Sequence, residues 1–277
     1  MAKRSRAARI RLMARNLVEA KRPKSTGKGV AAPISIEVRY NKGLQELVQR
    51  LEQDTREKIM PLVVTTQSEL IMDDSLTDLE GIIDGLQEQY ASLDEIYRQY
   101  ADVMVGAVNV YHQTAFIADV KQAVGVDIRG MAMDEGIDGV LRVATRRNVK
   151  LIKSIPEQFF NEIEQIIMQG FQTGEDPANI NEKLVERFGI TERRARFIAR
   201  DQVGKLTASL SKARQQNIGV DGYIWDDSGD SNVRKSHAKK NGKRIDWNKP
   251  PSDTGHAGED FNCRCVARPD FSKLLNT

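Results

Sequence analysis

The chain has 277 residues, with 42 Lys and Arg against 39 Asp and Glu, which is enough for one large or two modest domains. Its ordinary glycine and proline contents exclude a collagen-like or wholly disordered chain, and no apolar run approaches the roughly 20 residues that cross a bilayer. The two cysteines stand one residue apart, so we expect reduced thiols in a cytosolic setting rather than a disulfide framework.

Residues 1–33 are predicted to form a basic, flexible arm. Ten Lys and Arg residues up to Lys28 are opposed by Glu19 alone, so most of the excess positive charge lies in this stretch. A basic amphipathic helix is expected as far as Ala20. We expect the arm to bind nucleic-acid phosphates through Lys3, Arg4, Arg6, Arg9, Arg11, Arg15, Lys21 and Arg22. A membrane surface, a partner's groove and a solvated tail remain alternatives.

Residues 34–139 are predicted to form a helical N-terminal region. A first helix from Tyr40 should break or kink near Pro61. Beyond it, apolar residues recur at alternating spacings of three and four, which favours one long coiled-coil-like helix packed on the rest of the chain. These residues are Leu76, Leu79, Ile83, Leu86, Tyr90, Leu93, Tyr97, Tyr100, Met104, Ala107 and Tyr111. His112 lies beside this seam and is interpreted as structural. A glycine-rich stretch over 120–139 marks the predicted domain boundary.

Residues 140–277 are predicted to form a second domain that begins with separate helices. One covers 143–152, a second begins near Pro156, a third runs over 177–188 to a C-cap at Gly189, and Thr191 caps a fourth. Residues 184–200 also fit a helix-turn-helix that would place arginines toward DNA. Salt-bridged packing or contact with a partner is the alternative use of those charges.

The helical pattern ends at Gly219, and short strands are expected at 223–225, 244–247 and 266–267, with a short helix over 231–239. The expected fold class is therefore mainly α, with long helices, one of them coiled-coil-like, and a small C-terminal α+β unit from about residue 220. Within that unit, Asp230 and Arg234 are predicted to form an ion pair, Gly242 to allow a tight turn, and Arg264 to point away from its two cysteine neighbours.

Four side chains near the C-terminus suggest a structural zinc site. Zinc takes about four nitrogen or sulfur ligands, and His237, His256, Cys263 and Cys265 supply such a set. A metal would also explain how a loop-rich segment with few apolar residues stays ordered. The alternative is that the thiols are small buried apolar groups and that the histidines bind backbone groups. A disulfide within so small a ring would be strained.

Catalytic chemistry is not predicted for this chain. Asp226, Asp227, Asp230, His237 and Asn241, with His256 and Asn262, contain the residue types of a metal-assisted nuclease but not a recognised spacing. A cysteine–histidine nucleophile would lack an oxyanion feature, and there is no phosphate-binding glycine loop. We therefore name no catalytic residue and expect a protein that is not an enzyme.

The C-terminal residues also form an ordered pattern that resembles a known family. The pattern consists of Tyr223-Ile224-Trp225, Asp230, Val233-Arg234 with His237, Asn241-Gly242-Lys243 and Asn262-Cys263-Arg264-Cys265. It is similar to that of the minor head, or head morphogenesis, proteins of tailed phages typified by phage Mu protein F. The resemblance covers about the last 120 residues. Its structural motif residues are Trp225, Asp230, Arg234, His237, Gly242, Asn262, Cys263 and Cys265. Asp260-Phe261 stands where the family often has His-Pro.

The resemblance implies a minor capsid protein of a tailed phage. Such a protein would be assembled in the host cytoplasm and lie in the virion, near the portal vertex, with a role in head assembly and in DNA packaging or delivery. The implied partners are the portal protein, the scaffold and the major capsid protein, with packaged DNA bound by the arm. The alternative is a DNA-binding or DNA-processing protein that uses the arm and the helix-turn-helix-like pair.

Overall fold

The computed structural model describes residues 8–10, 12–13, 24–68, 72–129 and 136–276. Helices dominate it. A π-helical turn, Thr55–Ile59, joins the first two of them. The helices are α1 Ile34–Asp54, α2 Met60–Ser68, α3 Met72–Ala91, α4 Asp94–Val124, α5 Ile137–Thr173, α6 Pro177–Asn217, α7 Lys235–Ala238 and α8 Ser272–Asn276. The predicted fold class, mainly α with long helices and a small C-terminal α+β unit, is confirmed. No helix in this part of the chain combines the length and apolarity that a bilayer crossing requires.

The chain folds into two compact units, each assembled from separate stretches. The sheet unit comprises the described residues of Met1–Ile36, Val103–Ala144 and Arg200–Thr277. The helical unit comprises those of Glu37–Asp102 and Thr145–Ala199. Each unit contains residues from before and after position 139, so neither unit corresponds to one continuous stretch of the chain. The predicted segments 1–33, 34–139 and 140–277 stay a prediction.

The helical unit is built on periodic apolar burial. In α1 the buried side chains are Tyr40, Leu44, Leu47, Val48 and Leu51, the stripe that its spacing predicts. Instead of the break predicted near Pro61, a π-helical turn ends at Ile59 and leads directly into α2. Pro61 is the second residue of that helix, where its missing N–H costs little.

The predicted single long helix over 76–111 is wrong, because the chain forms two helices there. The break falls at Ser92 and Leu93, where the Ser92 hydroxyl donates to the carbonyl of Gln89. The predicted seam is buried or half-buried up to Met104, but Tyr111 is exposed and its neighbour His112 is fully buried. A helix with 3.6 residues per turn drifts against a strict seven-residue repeat, and this drift moves the seam by one position.

Two further helix boundaries predicted from the sequence are absent. Pro156 lies inside α5, where Ile152, Ile155, Phe159 and Phe160 on either side of it are all buried. One continuous apolar stripe therefore outweighs the hydrogen bond that proline removes. Gly189 and Thr191 lie inside α6, and the Thr191 hydroxyl donates to the carbonyl of Arg187 rather than capping a helix. Because α6 has no turn at this point, the helix-turn-helix prediction is wrong.

A three-stranded antiparallel sheet forms the C-terminal part of the sheet unit. Its strands are β1 Gly222–Asp226, β2 Arg244–Asp246 and β3 Val266–Pro269, in the order β2-β1-β3. Tyr223 lies opposite Ile245 on one side and Pro269 on the other. The three predicted strands are confirmed, whereas the predicted helix over 231–239 shortens to α7. The sheet covers a small core of Tyr223, Trp225, Trp247, Ala257, Cys265 and Ala267.

Residues 24–30 are held against the sheet unit by backbone contacts. Thr26 forms a bridge with Asp270, and the Gly27 N–H donates to the carbonyl of Pro269. The Asp119 carboxylate accepts the N–H groups of Lys28 (2.7 Å) and Gly29 (2.9 Å). This end of the predicted arm therefore has a fixed position. Of its predicted phosphate-binding cations, Arg9 is exposed, and the others lie outside the described residues: Lys3, Arg4, Arg6, Arg11, Arg15, Lys21 and Arg22.

A buried polar network joins α4 to the end of α6. The Nε2 of His112 lies 2.8 Å from the Ser211 hydroxyl, and its Nδ1 lies 2.9 Å from Nη1 of Arg214. The guanidinium of Arg214 also donates to Asn109. Burial, and next the nearby Arg214 charge, lower the pKa of His112 from 6.5 to about 3. His112 is therefore a neutral hydrogen-bonding residue, in agreement with its structural interpretation.

Candidate metal centre

The site is organised around His237, which lies on the four-residue helix α7. Its side chain is buried, and its ring meets the edge of Trp225 at a centroid distance of 5.4 Å and an interplanar angle of 83°. Trp225 is fully buried on β1. The strand therefore provides an apolar wall that fixes the position of the imidazole ring.

Both cysteines face Nδ1 of His237. The Sγ atom of Cys263 lies 3.5 Å from this nitrogen and that of Cys265 lies 3.4 Å from it. The three ligand atoms all lie within 4.8 Å of one another. Arg264 between them donates to the Asp230 carboxylate at 2.7 Å, so it points away from the cluster as predicted. Alternation along an extended segment thus brings two thiols to one face.

Asp260 contacts the other nitrogen of the His237 ring. Its Oδ2 lies 3.2 Å from Nε2 of His237 and 3.5 Å from Nη1 of Arg234. When Nε2–H donates to this carboxylate, Nδ1 carries the lone pair and directs it at the two sulfur atoms. Asp260 therefore sets both the tautomer and the orientation of the ring.

The two thiols interact directly and titrate as a pair. Hydrogen bonding by the Cys265 thiol, assisted by the backbone N–H groups of Cys265 and Gly258, lowers the pKa of Cys263 to about 6. The same thiol–thiol contact, together with burial, raises the pKa of Cys265. Cys263 is therefore the more acidic of the two thiols.

The loop that carries the cysteines is positioned by α6. Asp201, which is buried, accepts the backbone N–H of Asn262 at 2.9 Å and the Lys205 ammonium at 2.8 Å. Asn262 has a φ of 49°, a left-handed conformation that asparagine tolerates better than most residues. Gly258 has a φ of 86°, and a Cβ there would lie 2.7 Å from the Cβ of Ala208. The loop therefore lies close against α6.

His256 lies apart from the three-residue cluster. Its Nδ1 is 3.3 Å from the Tyr223 hydroxyl, and its ring centroid is 4.9 Å from that of Trp247. The structure thus brings together three of the four side chains predicted as zinc ligands. No other group of three or more His, Cys, Asp or Glu residues converges in this way within the described ranges.

The predicted ion pair between Asp230 and Arg234 is not formed. Asp230 pairs with Arg264, while Arg234 donates to the carbonyl of Phe261 and lies near Asp260. The four-residue spacing implied a shared helix face, but the chain becomes helical only at Lys235. The tight turn at Gly242 is present, with a φ of 74°. Asp201 and Asp260 were not predicted, because each acts through a contact that leaves no local sequence pattern.

The part of the chain that contains this site is similar to known proteins. Residues 161–268 match the family described as Phage Mu protein F like protein. An uncharacterized protein of Haemophilus influenzae (strain ATCC 51907 / DSM 11121 / KW20 / Rd) is 38% identical over 152 residues, which cover 54% of this chain and 34% of that protein. The Minor head protein GP7 of Bacillus phage SPP1 is 26% identical over 142 residues, which cover 45% of this chain and 42% of that protein.

The matched residues cover 34% and 42% of these two relatives, so the chain spans less than half the length of each. No solved structure shows a significant match to it. The matched family segment nevertheless includes β1, β2, the His237 cluster and most of β3.

Proposed function

We propose that this protein is a minor head protein of a tailed phage, because residues 161–268 match the family described as Phage Mu protein F like protein. It is bound near the portal vertex and acts in head assembly and in DNA packaging or delivery. The observation that carries this proposal is the family match across the sheet and the His237 cluster, together with the similarity to a minor head protein.

The surroundings of the family motif support an assembly role over catalysis. Trp225 forms the apolar wall of the cluster, Arg264 pairs with Asp230, and the Gly242 N–H donates to the carbonyl of Trp225 at 2.8 Å. Each of these contacts fixes the shape of the segment. A fixed surface is what binding to portal, scaffold or major capsid protein requires.

The head role is tested in the phage or prophage whose genome encodes the chain. Deleting the gene and restoring it in trans should abolish and then recover infectious particles. Mass spectrometry of purified heads should find the protein in few copies per particle, cross-linked to the portal protein. The proposal would be contradicted if purified heads did not contain the protein and the deletion left infectivity unchanged.

The N-terminal arm is proposed to contact packaged DNA. Replacing the eight Lys and Arg residues from Lys3 to Arg22 with Gln removes eight positive charges and leaves residues 24–30 in place on the sheet unit. Binding to phosphates releases counterions, so the slope of log K against log salt concentration should fall sharply in this variant. Fluorescence anisotropy with a labelled DNA duplex measures this slope. An unchanged slope would show that the arm does not bind the phosphates and would contradict this proposal.

The protein is also proposed to lack hydrolytic activity. Incubation with plasmid DNA, nucleotides or a protein substrate in the presence of Mg²⁺, Mn²⁺ or Zn²⁺ should leave each of them intact. Metal-dependent nicking that is lost in His237→Ala but kept in His256→Gln would show that the cluster is a catalytic centre instead.

A further inference from the structure

We propose that Nδ1 of His237 and the thiolates of Cys263 and Cys265 bind one zinc ion, which links α7 to the start of β3. Asp260 is the positioning residue for His237. This inference goes beyond the proposed head function, since a head protein needs no metal. It also departs from the four-ligand set that the sequence suggests, because His256 is not a ligand.

The two distances between Nδ1 of His237 and the sulfur atoms fit a tetrahedral zinc ion. Zinc binds sulfur at about 2.3 Å and imidazole nitrogen at about 2.0–2.1 Å, which at a tetrahedral angle separates the two atoms by about 3.5 Å. The observed separations of Nδ1 from the two Sγ atoms are 3.5 Å and 3.4 Å. The ion therefore fits without movement of these atoms along either edge.

Hydrogen bonding alone satisfies this arrangement poorly. A neutral imidazole has one lone pair, yet two sulfur atoms lie within 3.5 Å of the same nitrogen. One S–H group is enough to occupy that lone pair, so the second sulfur, which is hydrogen-bonded to the other thiol, lies close to the nitrogen without a bond to it. A cation at the centre of the three atoms binds all of them at once.

The environment of His237 is that of a metal ligand. Metal-binding histidines almost always donate their second N–H to a carboxylate, carbonyl or water, and here Oδ2 of Asp260 lies 3.2 Å from Nε2. Nη1 of Arg234 lies 3.5 Å from the same carboxylate oxygen and helps to orient it. Trp225 also holds the ring in place, so the side chain loses little conformational entropy when the metal binds.

The donor set selects the metal. Two thiolates and one imidazole suit zinc, whereas Mg²⁺ and Ca²⁺ require oxygen ligands. Cys263 is partly exposed while Cys265 and His237 are buried, so a water molecule reaches the fourth position from the side of Cys263. Binding displaces the thiol protons to solvent, and no oxidation or reduction takes place.

The first test is elemental analysis of the full chain, purified without chelator or metal-affinity tag under reducing conditions. About one zinc per chain is expected. In parallel, Co²⁺ added to metal-free protein should give the absorption bands of a tetrahedral cobalt–thiolate site and be displaced by one equivalent of Zn²⁺. Both measurements use the wild-type protein, so they stand even if a variant fails to fold.

Matched variants then assign the ligands. Cys263→Ser and Cys265→Ser should each lose the zinc, while His256→Gln and Arg264→Ala should retain it. Asp260→Asn should keep one zinc per chain but bind it about 10–100-fold more weakly in competition with a chromogenic chelator. The His256 variant serves as the matched control, since that histidine is equally buried but lies outside the cluster.

Three results would overturn the proposal. The first is wild-type protein that neither contains zinc nor takes up one equivalent of Zn²⁺ or Co²⁺. The second is a Cys263–Cys265 disulfide, seen as a loss of two mass units in protein kept under reducing conditions. The third is zinc that persists in both cysteine variants. None of them bears on the head role, which is decided by the particle experiments.

Discussion

In the helical unit, α1 buries Tyr40 and four aliphatic side chains along one stripe, whereas the segment from Asp227 to Cys265 buries Trp247 and Ala257 and otherwise mainly polar groups. The helical unit has an apolar core in which many contacts share the stabilisation. The segment between β1 and β3 depends on a few buried polar contacts, namely that of Asp201 with Asn262 and those within the His237 cluster. Loss of any one buried contact there should have a local and large effect.

The largest effect is expected for Phe160→Ala in the helical unit. Phe160 is fully buried and packs against Tyr90 and Phe159, with ring centroids 5.6 Å and 5.2 Å away. Truncation leaves a cavity and should lower the free energy of unfolding by about 3–5 kcal/mol. Urea denaturation followed by circular dichroism measures it. The control is Val185→Ala, since Val185 is 42% exposed and should change stability by less than about 0.5 kcal/mol.

Asp201→Ala tests the dependence of the C-terminal segment on a single polar contact. It leaves the Asn262 N–H and the Lys205 ammonium without their acceptor and should cost about 3 kcal/mol. Asp201→Asn retains an acceptor for the Asn262 N–H but loses the charge, so it should be the less destabilised of the two. Equal unfolding midpoints for the wild type and Asp201→Ala would show that the contact contributes nothing.

Acidification should weaken the sheet unit through His112. The pKa of His112 is 6.5 for an exposed side chain, as in the unfolded chain, and about 3 in the folded protein. Between these pH values the unfolded chain binds a proton that the folded chain does not. Stability is therefore complete above pH 6.5 and falls as pH decreases toward 3, by about 2 kcal/mol between pH 7 and pH 5. His112→Gln, which keeps hydrogen-bonding groups, should remove this part of the pH dependence. An identical pH profile in the variant would assign the loss to other groups.

The smallest effect is expected for Arg264→Ala. Arg264 pairs with Asp230, but both side chains are solvent-exposed, and such pairs contribute little. The unfolding midpoint should stay within experimental error of the wild type. A large loss would mean that exposed ion pairs stabilise the segment as much as buried contacts do.

The sequence predicted those features of the fold that depend on local patterns. Apolar periodicity identified α1, and the three strands were expected where the helical pattern ends at Gly219. It failed at Pro156 and Gly189, where burial on both sides of each residue keeps one helix continuous. A glycine or proline inside a helix destabilises it by about 1–3 kcal/mol, and the burial of several apolar side chains outweighs that cost.

The candidate site was predicted in part, for a similar reason. Cys263, Cys265 and His237 are identifiable because few other roles explain such residues so close together. Asp201 was not predicted, because it contacts Asn262 across 61 positions and sits in an ordinary helical sequence. Asp260 could be recognised only once the orientation of His237 was known. Contacts of this kind leave no trace in spacing.

Hydrogen–deuterium exchange, resolved by peptide, tests most directly whether the two regions are stabilised by different means. In Asp201→Ala, peptides covering residues 256–268 should exchange faster than in the wild type, whereas peptides from α1 and from the Thr145–Ala199 part of the helical unit should be unchanged. Faster exchange spread evenly over both units, or no change in residues 256–268, would contradict the dependence of the C-terminal segment on a few buried polar contacts.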